Sequence, residues 1–280
     1  MSQVLGPKTE KDYFASTSLG RSDLRGIYTD PATWKARKDG LIPQRKPTPE
    51  MVFGSALDAR ICGGKGPDPL DGYLVLDHES FRTKSAKQDR DNAIANGWDK
   101  ESVITQAKAE KLKCESDEQL KRLDDCIEAI EKTPLAWKLL QGRKQQQFYF
   151  EFADVDLKSM PDICHDDATV DLKCSDEIGV EGFLRQAKRF WYPEQAALMQ
   201  RGRMINEERL LPVVFVVVQP APPFNVEVFG IEESIIAFGW NRINEAISRY
   251  KDCKESGVWK PPEWNELVRV EAPRYWMRNH

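Results

Sequence analysis

Residues 211–218 read LPVVFVVV, an apolar run dominated by valine with no polar residue to mark a wet side. β-Branched side chains are stiff at χ1 and pack well on a pleated surface. A short run without polar–apolar alternation suits a strand covered on both faces. The run therefore predicts a buried central strand in a sheet flanked by helices. Other strand signals lie nearby: Gln147 to Phe152 and Val155 to Lys158 joined by a tight turn, Val170 to Cys174, and Asn225 to Phe229 after a Pro-rich turn. YLVL, ending at Leu76, gives one more short strand.

Helical spacing covers 51–62, 81–97, 105–142, 181–202 and 231–256. The third of these breaks at Thr133-Pro134, with proline at a first helical position, and the fourth restarts at Pro193. Ser22-Asp23 and Asp30-Pro31 are earlier start signals. The order of elements implies an α/β domain with a mixed central sheet. We expect a single domain over 1–280. Its 1–145 portion is mainly helical, 146–257 forms the α/β core, and 258–280 is a tail.

The 280 residues carry a net charge of −4, which excludes a globally basic nucleic-acid binder. Contacts to phosphate would need a local cluster of Lys and Arg. No apolar run approaches the ~20 residues of a membrane span. MSQVLGPKTEKDYF lacks the apolar segment of a secretory signal. The expectation is a cytoplasmic protein with no membrane partner. Cys62, Cys114, Cys126, Cys164, Cys174 and Cys253 form no CxxC pair and no Cys/His metal spacing, so they read as reduced thiols. Gly63-Gly64-Lys65 is too short for a phosphate loop and has no strand before it.

The stretch KSMPDICHDDATVDLKCS, 158–175, carries the chemistry. Along Val170-Asp171-Leu172-Lys173, alternation puts the apolar pair on one face and the charged pair on the other. Asp162 should end the preceding strand, and the turn CHDDA can return the chain beside it. Two carboxylates and a lysine then converge. Carboxylate oxygens suit Mg²⁺, and a bound ion activates water and neutralises phosphoryl charge. A lysine alongside can stabilise the transition state. On the polar face of its strand, Lys173 should be removable without opening a core cavity. A solvated Asp–Lys pair on a half-exposed strand is the bland alternative. His165, Asp166 and Asp167 read as turn residues.

PD followed by DLK resembles the PD-(D/E)XK nuclease signature. The flanks resemble phage and prophage exonucleases of the RecE (exodeoxyribonuclease VIII) group and, more distantly, the lambda-type exonucleases. FGSALDARI is similar to that group's G-x-A-x-H helix, FRTKSAKQDRDNAIANG to its basic helix, and VDLKCSDEIGVEGFLRQAKRFWYPEQAALM to its DLKT strand, loop and Y-x-x-Q helix. The resemblance spans about residues 15–260 and implies the following. Asp162 and Asp171 are metal carboxylates, Lys173 is the catalytic lysine, and Tyr192 and Gln195 line the site. The family's metal-binding histidine is Asp58 here, an oxygen ligand suited to a hard ion. The family's acid in the strand before PD is displaced, and Glu151 is the only nearby candidate. Related nucleases that hold an iron–sulfur cluster use three late cysteines, and only Cys253 is late here, so no cluster is expected.

The resemblance also implies an Mg²⁺-dependent exonuclease, with Mn²⁺ able to substitute. It would resect linear double-stranded DNA 5′ to 3′, leave a 3′ strand for a single-strand annealing protein, and assemble as a ring-shaped homo-oligomer. An endonuclease or structure-specific nuclease with the same core, or an inactive DNA-binding protein, are the alternatives. Local basic character could meet DNA in two helices. Arg82, Lys84, Lys87 and Arg90 lie in one segment, and Arg185, Lys188, Arg189, Arg201, Arg203 and Arg209 in the other.

Overall fold

A computed structural model of the chain describes residues 10–42, 48–61, 74–97, 100, 102–260, 267 and 269. Three short helices come first: α1 (Glu10–Ala15), α2 (Arg21–Thr29) and α3 (Pro31–Lys38). Asp30 caps α3 by accepting from the Thr33 amide at 3.0 Å, with Pro31 at the first turn where no partner is needed for its nitrogen. α4 (Pro49–Ile61), β1 (Leu74–Leu76), α5 (Lys84–Ala95), β2 (Val103–Thr105), α6 (Gln106–Glu131) and α7 (Pro134–Leu139) follow. Thr83 and Thr105 accept from the third amide of α5 and α6, which fixes both starts. The break at Pro134 falls where proline predicts it.

The remainder holds the other strands, interrupted by a helix pair and closed by a long helix. β3 (Arg143–Lys144), β4 (Phe148–Phe152), β5 (Val155–Ser159), β6 (Ile163–Cys164) and β7 (Thr169–Cys174) lead to α8 (Gly179–Phe190) and α9 (Tyr192–Glu207). β8 (Val213–Val218), β9 (Val226–Gly230) and α10 (Glu233–Ser256) close the domain. Trp259 of the tail packs on Trp34 and Tyr250. Most of the tail lies outside the described residues, as do Cys62 and the side chain of Cys114. The described cysteines, Cys126, Cys164, Cys174 and Cys253, are free thiols.

The central sheet has the order β3-β6-β7-β8-β9. Only β7 and β8 are parallel, and α8 with α9 supplies the crossover between them. The mixed sheet is as expected, but β4 and β5 are not in it. They form a separate hairpin. Its two-residue turn has Ala153 and Asp154 both at positive φ (50° and 57°), the geometry a right-twisted hairpin prefers. The two-residue strands β3 and β6, and β2, were not foreseen, because pieces of two or three residues carry no period to detect.

β8 explains the layers. Val213, Phe215 and Val217 enter one core with Ala196 and Met199 of α9 and Ile243 of α10. Val216 and Val218 enter a second core with Leu57 of α4, Ile130 of α6 and Leu140 just after α7. The hairpin residues Phe150, Val155 and Leu157 join the first core, together with Leu24 and Ile27 of α2. The sheet is thus covered on both sides, as the valine run requires. Among the described residues no helix is long and apolar enough to cross a membrane.

Candidate active site

The site is built on β7 and on the first turn of α9. Val170 and Leu172 enter the second core as alternation predicts. Asp171 and Lys173 occupy the other face, but that face is not open. In register with Phe215 and Val217 of β8, they lie under α9. Asp171 is 1% exposed and the Lys173 side chain 16%. The half-exposed-strand alternative is therefore excluded. The notion that Lys173 can be truncated without structural cost is revised as well, because tertiary packing has turned a polar strand face into an interior.

Within that interior the two charges are paired. Lys173 Nζ lies 2.8 and 2.6 Å from the Asp171 carboxylate oxygens. The ammonium also stands 5.3 Å from the Tyr192 ring centre and 5.7 Å from that of Phe215, within cation–π range. Gln195 donates from Nε2 to both Asp171 oxygens, at 3.1 and 2.7 Å. Its Oε1 accepts from Arg21 Nη1 at 2.7 Å. An arginine can only donate, so Arg21 fixes which end of the amide faces Asp171. Tyr192 and Gln195 are brought here because Trp191, in the left-handed conformation at φ 65°, ends α8 and Pro193 restarts the helix as α9.

Asp162 lies just before β6 rather than at the end of β5, which stops at Ser159. Its Oδ2 accepts from the Leu172 amide at 2.8 Å, which locks it beside β7. Burial, and then the neighbouring Asp171 carboxylate, hold Asp162 well above the usual carboxylate range, with Lys173 only partly offsetting them. Burial disfavours the Lys173 charge, but Asp171 and Asp162 outweigh it and raise the lysine. The return turn is stapled from α9. Arg203, fully buried, donates to the carbonyls of His165 and Ala168, both at 2.7 Å, and pairs with Glu207. Arg203 therefore braces the turn and is not available to DNA, which corrects its place among the surface basic residues.

Asp58, on α4, accepts from Gln145 Nε2 at 3.1 Å, and the Gln145 amide donates to the Asp162 carbonyl at 2.8 Å. The charge of Asp58 contributes to raising Asp162. Glu151 is not brought to the cluster. It is exposed on β4 opposite Asp156. The strand from Asp156 to Ser159 alone spans about 10 Å before the chain turns toward Asp162. The hairpin's independence from the central sheet is the reason. Among the described residues, no three acidic, His or Cys side chains form a complete ligand group.

The proposed DNA-contacting residues lie on surfaces. Arg82, Lys84 and Lys87 are exposed at and before α5, and Lys188 and Arg189 are exposed on α8. Arg185 is exposed and paired with Glu177 at 2.7 Å. Arg209 pairs with Asp166 at 3.3 Å. Two residues escaped sequence reasoning. Arg21 opens a short helix more than 140 residues before the strand it serves, with no local pattern to mark it. Gln145 sits in a polar run at φ 47°, and the positive φ, invisible in sequence, is what lets both its amides face the site.

A family model described as a PDDEXK-like domain of unknown function (DUF3799) matches residues 22–263. No curated protein sequence matches the chain. Among solved structures, one described as "Putative exonuclease" from Eubacterium rectale is 13% identical, covers 99% of this chain and 98% of its own, and has a TM-score of 0.63. A phage-related exonuclease from Haemophilus somnus 129PT is 14% identical over 89% of this chain and 100% of its own. Its TM-score of 0.33 supports no structural argument. The first likeness, at that identity, concerns the fold alone. With most of its length matched, and the PD and DLK motifs on adjacent segments at one buried site, the chain belongs to the PDDEXK-like family and carries its nuclease-type fold.

Proposed function

We propose that the protein is a metal-dependent deoxyribonuclease that degrades linear double-stranded DNA from its ends. The observation that carries this is the convergence of Asp162, Asp171 and Lys173, with Leu172 N–H bound to Asp162 and Lys173 bound to Asp171. The residues fit a hard divalent ion. Mg²⁺ is commonly held by one or two carboxylates together with waters and substrate phosphate. Burial is the main reason Asp162 is raised, and the Asp171 and Asp58 charges add to it; a cation relieves that excess of negative charge. Asp162 and Asp171 would hold Mg²⁺ or Mn²⁺, with Asp58 as a third acid nearby. The ion would supply an activated water and charge neutralisation.

The chain's own groups do the rest. Lys173 holds a positive charge where the phosphoryl oxygens gain negative charge. Gln195 fixes the Asp171 carboxylate, and Tyr192 closes the apolar side of the ammonium. Cleavage 5′ to 3′, release of a 3′ strand to an annealing protein, and assembly into a ring extend this reading from the family resemblance. The test is cleavage of linear and covalently closed circular duplex with Mg²⁺, Mn²⁺ or EDTA. Degradation of the linear form alone, abolished by EDTA, is expected. Equal cleavage of both forms, or activity in EDTA, would refute it.

A further inference from the structure

A second site lies on the N-terminal portion. An open cavity of about 450 Å³ sits between α5, β2 and the first turn of α6. Its floor is buried and largely apolar, formed by Val103 and Ile104 of β2 with Thr105 at one end. Its walls carry three cations from three places in the chain: Arg90 of α5, Lys100 before β2, and Lys108 of α6. No carboxylate lines it among the described residues. Arg90 has a long 3.4 Å contact to Asp91, whose side chain is 62% exposed. Lys100 and Lys108 are exposed and have no ion-pair partner among the described residues. Phe81 supplies an aromatic wall, with the Arg90 guanidinium 5.4 Å from its ring centre. The amino end of the 26-residue α6 opens at the same rim, adding positive potential.

Three cations converge on a concave apolar floor without acids to balance them, so charge selects an anion and shape selects a small one. A volume of this size matches a ligand pocket rather than the convex track of a duplex. Lys84 and Lys87 stand exposed on α5 on the approach to Arg90, three residues apart, so positive charge continues beyond the cavity. An isolated metabolite would not need that extension, whereas a strand would. Cationic tracking of a backbone beside an aromatic wall is the way single strands are held. We infer that this cavity seats one nucleotide of a single DNA strand, its phosphate among Arg90, Lys100 and Lys108. The strand would be one separated from the duplex at the nuclease site, so the inference rests on the nuclease reading.

The experiment uses the full chain and a fluorescently labelled 12-nucleotide oligo(dT), with anisotropy read across a salt series in EDTA. The Lys100→Gln/Lys108→Gln double variant is compared with wild type, after thermal melts show equal folding. Neither lysine belongs to the cleavage machinery, so linear-duplex cleavage is assayed in parallel. The expected result is roughly tenfold weaker binding at 0.1 M salt. The slope of log affinity against log salt should fall by about 1.4, or 0.7 for each lost single-strand phosphate contact. Cleavage should be retained. Wild-type binding that the double variant reproduces in affinity and slope would overturn the inference while leaving the nuclease reading intact. Displacement of the oligonucleotide by inorganic phosphate or dTMP at matching concentrations would mark a small-anion seat and also overturn it. A wild-type protein that neither binds the oligonucleotide nor cleaves duplex would sink the nuclease reading, and this inference with it.

Discussion

Replacing Lys173 with alanine should damage both stability and catalysis, and the structure sets the scale of each. Asp171 is 1% exposed and its counter-charge is the Lys173 ammonium at 2.6 and 2.8 Å. Removing one member of a buried ion pair costs about 3–5 kcal/mol, because the other is left uncompensated. Gln195 still donates two hydrogen bonds to Asp171, which places the cost near the lower end, about 3 kcal/mol. At roughly 2–4 °C per kcal/mol for a chain of this order of size, the melting temperature in EDTA should fall by about 6–12 °C. The Asp171→Asn/Lys173→Met double variant leaves neither member of that pair charged and should regain most of that loss. Added Mg²⁺ should narrow the gap for the single variant, since the ion takes over as counter-charge. Single-turnover cleavage of linear duplex should drop about 10²–10³-fold. Arginine at 173 should not restore it, because a planar fork cannot replace a compact ammonium. Lys173→Ala melting within a degree of wild type in EDTA would refute the reasoning, showing that the buried pair contributes no net interaction.

Three further outcomes follow from the packing around the site. A β-carbon at Gly239 would lie 2.3 Å from the Pro193 carbonyl oxygen, so Gly239→Ala must push α10 from the start of α9, costing about 1–3 kcal/mol. Cleavage should fall with it, because Pro193 stands between Tyr192 and Gln195, and unchanged melting and activity would count against this packing. Arg21 acts as a positioning residue through Gln195. Arg21→Met should lower kcat about tenfold to a hundredfold while leaving duplex binding in Ca²⁺ unchanged. A loss confined to binding would instead assign Arg21 to the substrate. Burial opposes the charge on Glu207, but hydrogen bonds from Arg143 and Arg203 outweigh it and depress its pKa. Its stabilisation is therefore present above the unfolded carboxylate pKa of about 4.3 and is lost as pH falls through the lower folded value. Glu207→Gln should cost roughly 2 kcal/mol at pH 7, with the gap to wild type closing below about pH 4. A gap independent of pH would contradict the assignment.

Local patterns in the sequence determined a good deal of this protein. The valine run of β8 dictated a strand covered on both faces, because nothing in it can meet water. Alternation in Val170 to Lys173 separated the apolar pair from the charged pair. Prolines at 134 and 193 marked helix starts through a property of the residue itself, the missing N–H. Asp162, Asp171 and Lys173 stood out for the same reason: their spacing and chemistry lie within a dozen residues. The tertiary structure decided what depends on distant chain segments meeting. It buried the polar face of β7 under α9, turning a surface-like Asp–Lys pair into an interior one. Arg21, from another part of the chain, was set against Gln195, and Gln145 was bent to face both Asp58 and Asp162. The β4–β5 hairpin was kept out of the central sheet, which left Glu151 exposed, and Arg203 was committed to the turn and withdrawn from the surface. Hydrogen bonds and burial are properties of pairs, and where the partners lie far apart along the chain only the packed fold brings them together.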